Sequence, residues 1–429
     1  MDTCIARKHF LIFLFALLFT AFSEVSAQSS GAPNIVLIVA DYMGYSDIGP
    51  YGAEDIETPS LNALADQGAQ FSDYYSASPV CGPSRAALLS GMYPARVGIE
   101  TNIAIGSGLR SDRNTLVREL KNSGYRTAMV GKWHLGQEER FSPNSHGFDT
   151  FFGFHTWTLG YHDHQTSNGA PGLYRDYDLV EEKGYLTDIL TNEAVGFIEE
   201  DSNDPFFLYL AYNTGLPPYQ RPDLAEELWH TGWDVNQAIR EDYVAMVESM
   251  DQGIGRILRS LEESELTKDT LVIFTYDHGG RHLVDSEPLF HGFATLWEGG
   301  IRVPLIMRWP EQFNGAQSIS HPTIAMDLTA TMLAAAGRLD PSMDLDGSSL
   351  LPLLENENEQ TTKPLFWRYD SMWATRHGKW KYVLDNGTQF LFDLENDIGE
   401  RNNLFSRYPE TALDLREALI EWNESLVAP

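Results

Sequence analysis

Cys81 is the first residue in this chain whose type and setting suggest chemistry. It lies in Ser78-Pro79-Val80-Cys81-Gly82-Pro83-Ser84-Arg85, and the other cysteine, Cys4, falls in a segment that reads as a removable leader. The mature chain then holds one thiol and can form no internal disulfide. A lone thiol in an oxidising compartment must be buried, inert or chemically converted, because its thiolate is the reactive form. Elsewhere, polar groups follow apolar runs at Asp41, Gly131-Lys132-Trp133-His134, Asn213 onward and Asp277-His278-Gly279-Gly280. Taken singly each is ordinary, since an aspartate ending a strand is commonly a cap or turn former. Their recurrence at the ends of apolar runs is the informative feature.

Those runs are the elements that must position the polar groups. Asn34 to Ala40 is continuous, β-branched and apolar, as in a parallel strand buried on both faces. Further strands are expected at Tyr125 to Val130, Pro205 to Ala211, Thr270 to Tyr276 and Val303 to Met307. Helices are expected from Thr58-Pro59 to Gly68, from about Pro83, at Thr115 to Asn122, at Leu186 to Glu200 and from about Asp234 to Glu263. This alternation implies an α/β fold, a mostly parallel sheet with helices on both faces. In such sheets the ligand crevice lies outside the carboxyl ends of the strands, so the four polar segments converge on one site. After residue 355 a polar stretch gives way to short aromatic-rich segments punctuated by Gly378 and Asn386-Gly387, then an amphipathic helix from about Pro409 to Leu426. This suggests a second, smaller domain of antiparallel strands. The expected organisation is a signal peptide over 1–27, a catalytic domain over 28–355 and a small C-terminal domain over 356–429.

Composition limits the partners. The chain has 429 residues with 30 Lys+Arg against 61 Asp+Glu, a formal charge of -31. Nucleic acid is excluded as a partner, because binding it requires neutralising phosphates with cations. Any anion must be gripped by a few local cations against the mean field. At the N-terminus, Arg7 and Lys8 precede the apolar run Phe10 to Phe22, followed by Val25-Ser26-Ala27. This is the pattern of a secretory signal cut after Ala27, too short for a membrane span. A secreted or periplasmic protein is expected, with no integral membrane association.

The segment from Ser78 to Gly91, with Cys81, Pro83, Ser84, Arg85 and a leucine-containing tail, resembles the C-x-P-S-R signature of the sulfatase family within the alkaline phosphatase superfamily. The likeness extends through the strand into Asp41, Gly131 to Gly136, Asp277 to Gly280, Glu298 to Pro304 and Leu391 to Asp397. It implies a large, mostly parallel sheet sandwiched by helices, with a small C-terminal antiparallel sheet and a helix. It also implies that a separate formylglycine-generating enzyme oxidises Cys81 to formylglycine. One hydroxyl of the hydrated aldehyde would attack sulfur and the second would drive sulfate out. By the same resemblance Arg85 steadies the aldehyde, Lys132 contacts the nucleophile or a sulfate oxygen, and His134 bonds the diol. Asp41 and Asp277, joined by His278 and residue 81, would hold a divalent metal, calcium in the family at large.

Four positions depart from the family pattern. Tyr42 follows Asp41 where a second acid is usual, His278 stands in place of an asparagine, Leu216 in place of a histidine, and Phe293 in place of a lysine. Tyrosine and histidine are poor ligands for calcium, while imidazole suits zinc or manganese. Leu216 and Phe293 donate no hydrogen bond, and losing one transition-state donor costs roughly 3 kcal/mol. Three functions stay open. The leading one is sulfuric ester hydrolysis of a sulfated small molecule or carbohydrate by a weakened site, with His162 and His164 joining Lys132 on the substrate and Arg281, His282 or His291 as further substitutes. The others are a non-catalytic relative that binds sulfated glycan, and a metal-dependent hydrolase of phosphodiesters or phosphonate esters.

Overall fold

The computed structural model describes residues 31–111, 115–313, 315–355 and 363–426. The expected signal segment 1–27 lies outside the described residues, as does the polar stretch 356–362. The β-branched run Asn34–Ala40 is a wholly buried strand at the middle of the large sheet. Five parallel strands form that centre, in the spatial order Thr270–Tyr276, Asn34–Ala40, Phe206–Ala211, Arg126–Lys132 and Thr150–Phe154. Among the described residues the sheet has ten strands. Leu305–Arg308 runs antiparallel to Thr270–Tyr276, and the short strands Tyr174–Arg175 and Asp178–Leu179 make an antiparallel edge. The sheet is therefore mixed at its margins. Thr150–Phe154 has a five-residue core too short to stand out by pattern, yet it extends the parallel centre by one strand.

Register brings the polar residues to one rim. Ala40 lies opposite Tyr276, and Gly131 opposite Ala211, so Asp41, Asp277, Lys132 and Asn213 leave the sheet at the same end. Gly131 has φ +103°, and a Cβ there would sit 2.0 Å from the Ala211 carbonyl oxygen. Glycine is required because both the backbone angle and the close approach exclude a side chain. The 24-residue helix Arg240–Glu263 buries Tyr243, Met246, Val247, Met250, Ile254, Ile257 and Leu261, a stripe at helical spacing. From the same helix, Asp251 accepts the N–H groups of Ser60 and Leu61 at 3.0 and 2.9 Å, satisfying the exposed donors that open helix Pro59–Asp66.

The C-terminal segments form four antiparallel strands, Leu365–Tyr369, Met372–His377, Trp380–Asp385 and Thr388–Asp393, with helix Pro409–Ser425 against them. A buried ionic network joins this sheet to the larger one. Lys381 Nζ lies 2.8 Å from Glu298 Oε1 and 2.9 Å from Glu400 Oε1. Glu298 Oε2 accepts from Tyr75 Oη at 2.7 Å and from Arg302 at 3.0 Å, while Arg376 and Arg302 both bind Asp73.

Candidate active site

Cys81 is the first residue of helix Cys81–Ser90, two positions ahead of the start expected at Pro83, and extended Val80 precedes it. Its sulfur lies 3.0 Å from His278 Nε2, 3.2 Å from Lys132 Nζ and 3.8 Å from Asp41 Oδ1. The strand Asn34–Ala40 supplies Asp41, Arg126–Lys132 supplies Lys132, and Thr270–Tyr276 leads into Asp277 and His278. Ser84 Oγ donates to the Asp277 carbonyl at 2.5 Å, fixing the helix to this last segment.

The two carboxylates are occupied unequally. Asp41 Oδ2 accepts from Lys132 Nζ at 2.5 Å and from Arg85 at 2.6 Å. Asp277 Oδ2 accepts from Arg85 Nε at 3.0 Å, while its Oδ1 is buried and meets no hydrogen-bond donor. His278 Nδ1 lies 3.0 Å from the Gly279 carbonyl, a contact that assigns its proton to Nδ1 and turns Nε2 toward the sulfur. Donor atoms of Asp41, Cys81, Asp277 and His278 all lie within 4.8 Å of one another. Together with the orphaned Asp277 oxygen, this donor set fits a divalent cation.

The protonation pattern follows from burial and neighbours. Burial alone would raise Asp41, but Lys132, Arg85 and His278 hold it well below the ordinary carboxylate range. Asp277 moves the other way, raised by burial and by the adjacent Asp41 charge. Burial opposes charge on His278, yet Asp277, Cys81 and Asp41 push it up to about 9. That negative potential also favours a metal cation. His134, at φ 55°, is lowered well below the usual histidine value by burial and by the Lys132 and Arg85 charges, and its Nδ1 has no partner.

Cys81, Lys132, Asp41, Asp277 and His278 are thus brought together. Arg85 lies in the same cluster, where its guanidinium binds Asp41, Asp277 and the Lys132 carbonyl and so braces the carboxylates. Its fourth neighbour, Tyr209 Oη at 3.4 Å, sits inside an unbroken apolar strand and gave no signal in the sequence. His162 and His164 do not join the cluster. His162 Nε2 bonds the Arg221 carbonyl at 3.0 Å and its ring stacks on Trp229, while His164 Nε2 bonds the Gly184 carbonyl at 3.0 Å. Both rings tie loops together. His282 is spent likewise on the Val235 carbonyl, and His291 packs against Phe290 and Trp297.

Three of the four departures touch one another. The Tyr42 ring lies 5.0 Å from Phe293 and 6.1 Å from His278, and His278 lies 5.1 Å from Phe293. Leu216, also buried, follows Gly215, whose Cβ position abuts the Asp41 carbonyl. Tyr42 is held at φ 57°, and the next residue, Met43, bridges to Gly279. Tyr42, His278 and Phe293 therefore build a continuous aromatic wall, in which His278 reaches the Cys81 sulfur.

With this geometry in view, comparison with known proteins settles the family. The sulfatase family model matches residues 33–338, well over half the chain. The chain belongs to the sulfatase family. A second model, the C-terminal part of N-sulphoglucosamine sulphohydrolase, matches residues 290–425. N-acetylgalactosamine-6-sulfatase of Homo sapiens is 35% identical over 388 residues, covering 82% of this chain and 72% of its own. Steryl-sulfatase of Homo sapiens is 30% identical, covering 89% and 85%. Among solved structures, Ps i-CgsB superposes with a TM-score of 0.84 at 33% identity, covering 91% of this chain and 92% of that one. Another crystal structure holds the same protein in complex with k-i-k-neocarrahexaose. The phosphonate monoester hydrolase of Agrobacterium radiobacter shares the fold, at a TM-score of 0.69 and 21% identity. Sulfatase relationship fixes the activity class as sulfuric ester hydrolysis.

Proposed function

We propose that this chain hydrolyses sulfate esters of carbohydrate outside the cytoplasm, using formylglycine formed from Cys81 and a divalent metal held by Asp41, Asp277, His278 and residue 81. The supporting observation is the convergence on the Cys81 sulfur of Lys132, His278 and Asp41, beside an Asp277 oxygen that meets no donor. The sulfur marks where an oxygen of the converted side chain would sit. The hydrated aldehyde supplies a nucleophile with a second hydroxyl, and the metal supplies polarisation of nucleophile and ester oxygens.

The remaining work belongs to the chain's own residues. Lys132 holds positive charge against both the nucleophile and Asp41. Arg85 positions the two carboxylates, and His134, held neutral, offers a ring nitrogen as proton acceptor or donor. An imidazole with two carboxylates suits zinc or manganese better than the six to eight oxygens calcium prefers. Export is supported by the tripartite N-terminal pattern, and carbohydrate as substrate by the similarity to N-acetylgalactosamine-6-sulfatase and to Ps i-CgsB, which is seen in complex with k-i-k-neocarrahexaose.

The test begins with mass spectrometry of the Cys81 peptide after coexpression with a maturing enzyme, where formylglycine is expected and persistent thiol excludes the mechanism. Turnover of 4-nitrophenyl sulfate, galactosamine 6-sulfate and sulfated carrageenan oligosaccharide is then measured with added calcium, manganese or zinc. Activity with manganese or zinc exceeding that with calcium is expected. The aromatic wall supports a second reading, hydrolysis of a phosphodiester or phosphonate ester, because an apolar surface beside the nucleophile suits a second organic group on the reacting centre. Cleavage of bis(4-nitrophenyl) phosphate faster than of the sulfate would select it. Absence of any turnover, with binding of sulfated oligosaccharide retained, would select the non-catalytic relative.

A further inference from the structure

Beyond the reacting centre, the same sheet rim carries a second concavity. The strand Thr150–Phe154 runs parallel to Arg126–Lys132, with Phe154 opposite Lys132, so the chain leaving Phe154 emerges beside the Lys132-Trp133-His134 loop. A cleft of about 430 Å³ opens there, lined by Ile105, Gln137, Trp157, Asn168, Pro171 and Tyr174 among others. Its contents are unusual for this molecule. In a chain of net charge -31, no Asp, Glu, Lys or Arg among the described residues lines it. The histidine in its wall, His155, is held at about 4 by burial, so the lining is uncharged at neutral pH.

Two apolar side chains stand open to solvent at this cleft, Trp157 at 40% and Ile105 at 91% exposure. Trp157 is braced edge to face by Trp233 at 6.4 Å, which holds the indole in place without covering it. The opposite wall is a tight loop: Thr166 and Gly169 exchange backbone bonds with Ala170 and Thr166 at 2.8 Å, and Gln165 bridges to Pro171. That loop presents Asn168, and the His134 side presents Gln137, both exposed amides. Thr158 Oγ1 donates to the Pro217 carbonyl at 2.8 Å, joining the Trp157 loop to the segment that carries Leu216.

We infer that this cleft is a subsite for an uncharged sugar ring of the same glycan, adjoining the residue whose sulfate is removed. A sugar ring pairs an apolar face with a rim of hydroxyls, and the cleft pairs an exposed indole with amides and hydroxyls. A second sulfate is disfavoured here, because burying an anion without a cation is costly. The inference rests on the carbohydrate reading above but not on turnover.

The experiment therefore measures binding and hydrolysis separately. Calorimetry on the Cys81→Ala chain, in the wild-type and Trp157→Ala forms, uses one sulfated carrageenan hexasaccharide and its desulfated counterpart. Trp157→Ala is expected to weaken binding of both by about tenfold, the loss of a single stacking contact, with Trp157→Tyr restoring most of it. In the maturable chain the same substitution should raise KM for the hexasaccharide and leave hydrolysis of 4-nitrophenyl sulfate unchanged. Equal hexasaccharide affinity with and without Trp157, or no binding of either hexasaccharide at millimolar concentration, overturns the subsite. Trp157-dependent binding without turnover of any sulfate would instead overturn the hydrolase reading and leave the subsite standing.

Discussion

Two clusters of charged side chains are buried in this molecule, and they are built to different rules. Around Glu298, both carboxylate oxygens meet a cation or hydroxyl, Lys381 bridges to Glu400, and Glu400 also accepts the Glu298 N–H at 2.7 Å. Around Cys81, Asp277 Oδ1 and His134 Nδ1 make no hydrogen bond, Asp277 Oδ1 lying 3.6 Å from His278 Nε2. Both clusters are fully buried, so burial of charge does not separate structure from chemistry. The distinction lies in how the acceptors are arranged: Lys381 sits between Glu298 and Glu400 at 2.8 and 2.9 Å, whereas donor atoms of Asp41, Cys81, Asp277 and His278 face one another within 4.8 Å, an arrangement that suits a shared cation.

The largest expected effect breaks the comparison on the reactive side alone. Cys81→Ala should lower sulfate ester turnover by roughly 10³-fold or more, while the melting temperature moves little, because a small buried side chain is lost and no charge is left unpaired. Lys381→Met should do the reverse. It leaves Glu298 and Glu400 without their shared cation, at a cost of about 3–5 kcal/mol in denaturant unfolding, with turnover of the folded fraction kept. Arg85→Met is predicted to fail both measurements, because Arg85 hydrogen-bonds both Asp41 and Asp277, which His278 approaches only at 3.9 and 3.6 Å, and so behaves as a structural ion inside the reactive cluster. Lys132→Met is the sharper probe: Asp41 retains Arg85, so turnover should fall roughly 10²–10³-fold with a stability loss smaller than for Arg85→Met.

These contrasts also explain what the sequence made legible. Asp41, Lys132 and Asp277 were readable because each directly follows a long apolar run, and a parallel sheet carries all such ends to one rim. The central strands were visible for the same reason, whereas the edge strand Tyr174–Arg175, two residues long, has no periodicity to read. Substitutions at Tyr42, His278 and Phe293 were each visible, but their mutual contact was not, since it depends on the Met43 to Gly279 bridge between segments far apart in sequence. His162 and His164 were expected on the substrate because histidine chemistry is not local. Whether an imidazole meets a ligand or a carbonyl is decided by the neighbouring loop, here the backbone at Arg221 and Gly184.

The smallest expected effect tests whether the Glu298 cluster is as inert as its pairing suggests. Glu400 is raised to about 7 by burial and by the Glu298 charge, against the pull of Lys381. An acid whose folded value lies above its unfolded one holds more protons folded than unfolded across the interval between them, so stability must fall as pH rises through that interval. For Glu400 the interval runs from the usual glutamate value of about 4.5 to about 7. Above it the cluster carries two carboxylates beside Lys381; below it Glu400 is neutral while Glu298 keeps Lys381, Arg302 and Tyr75. Melting temperature followed across this range should therefore decline in the wild-type chain from this contribution, and Glu400→Gln, which keeps an oxygen for the Glu298 N–H, should flatten the decline. An unchanged slope in the variant would mean that Glu400 is ionised throughout, matched by Lys381 as fully as Glu298 is.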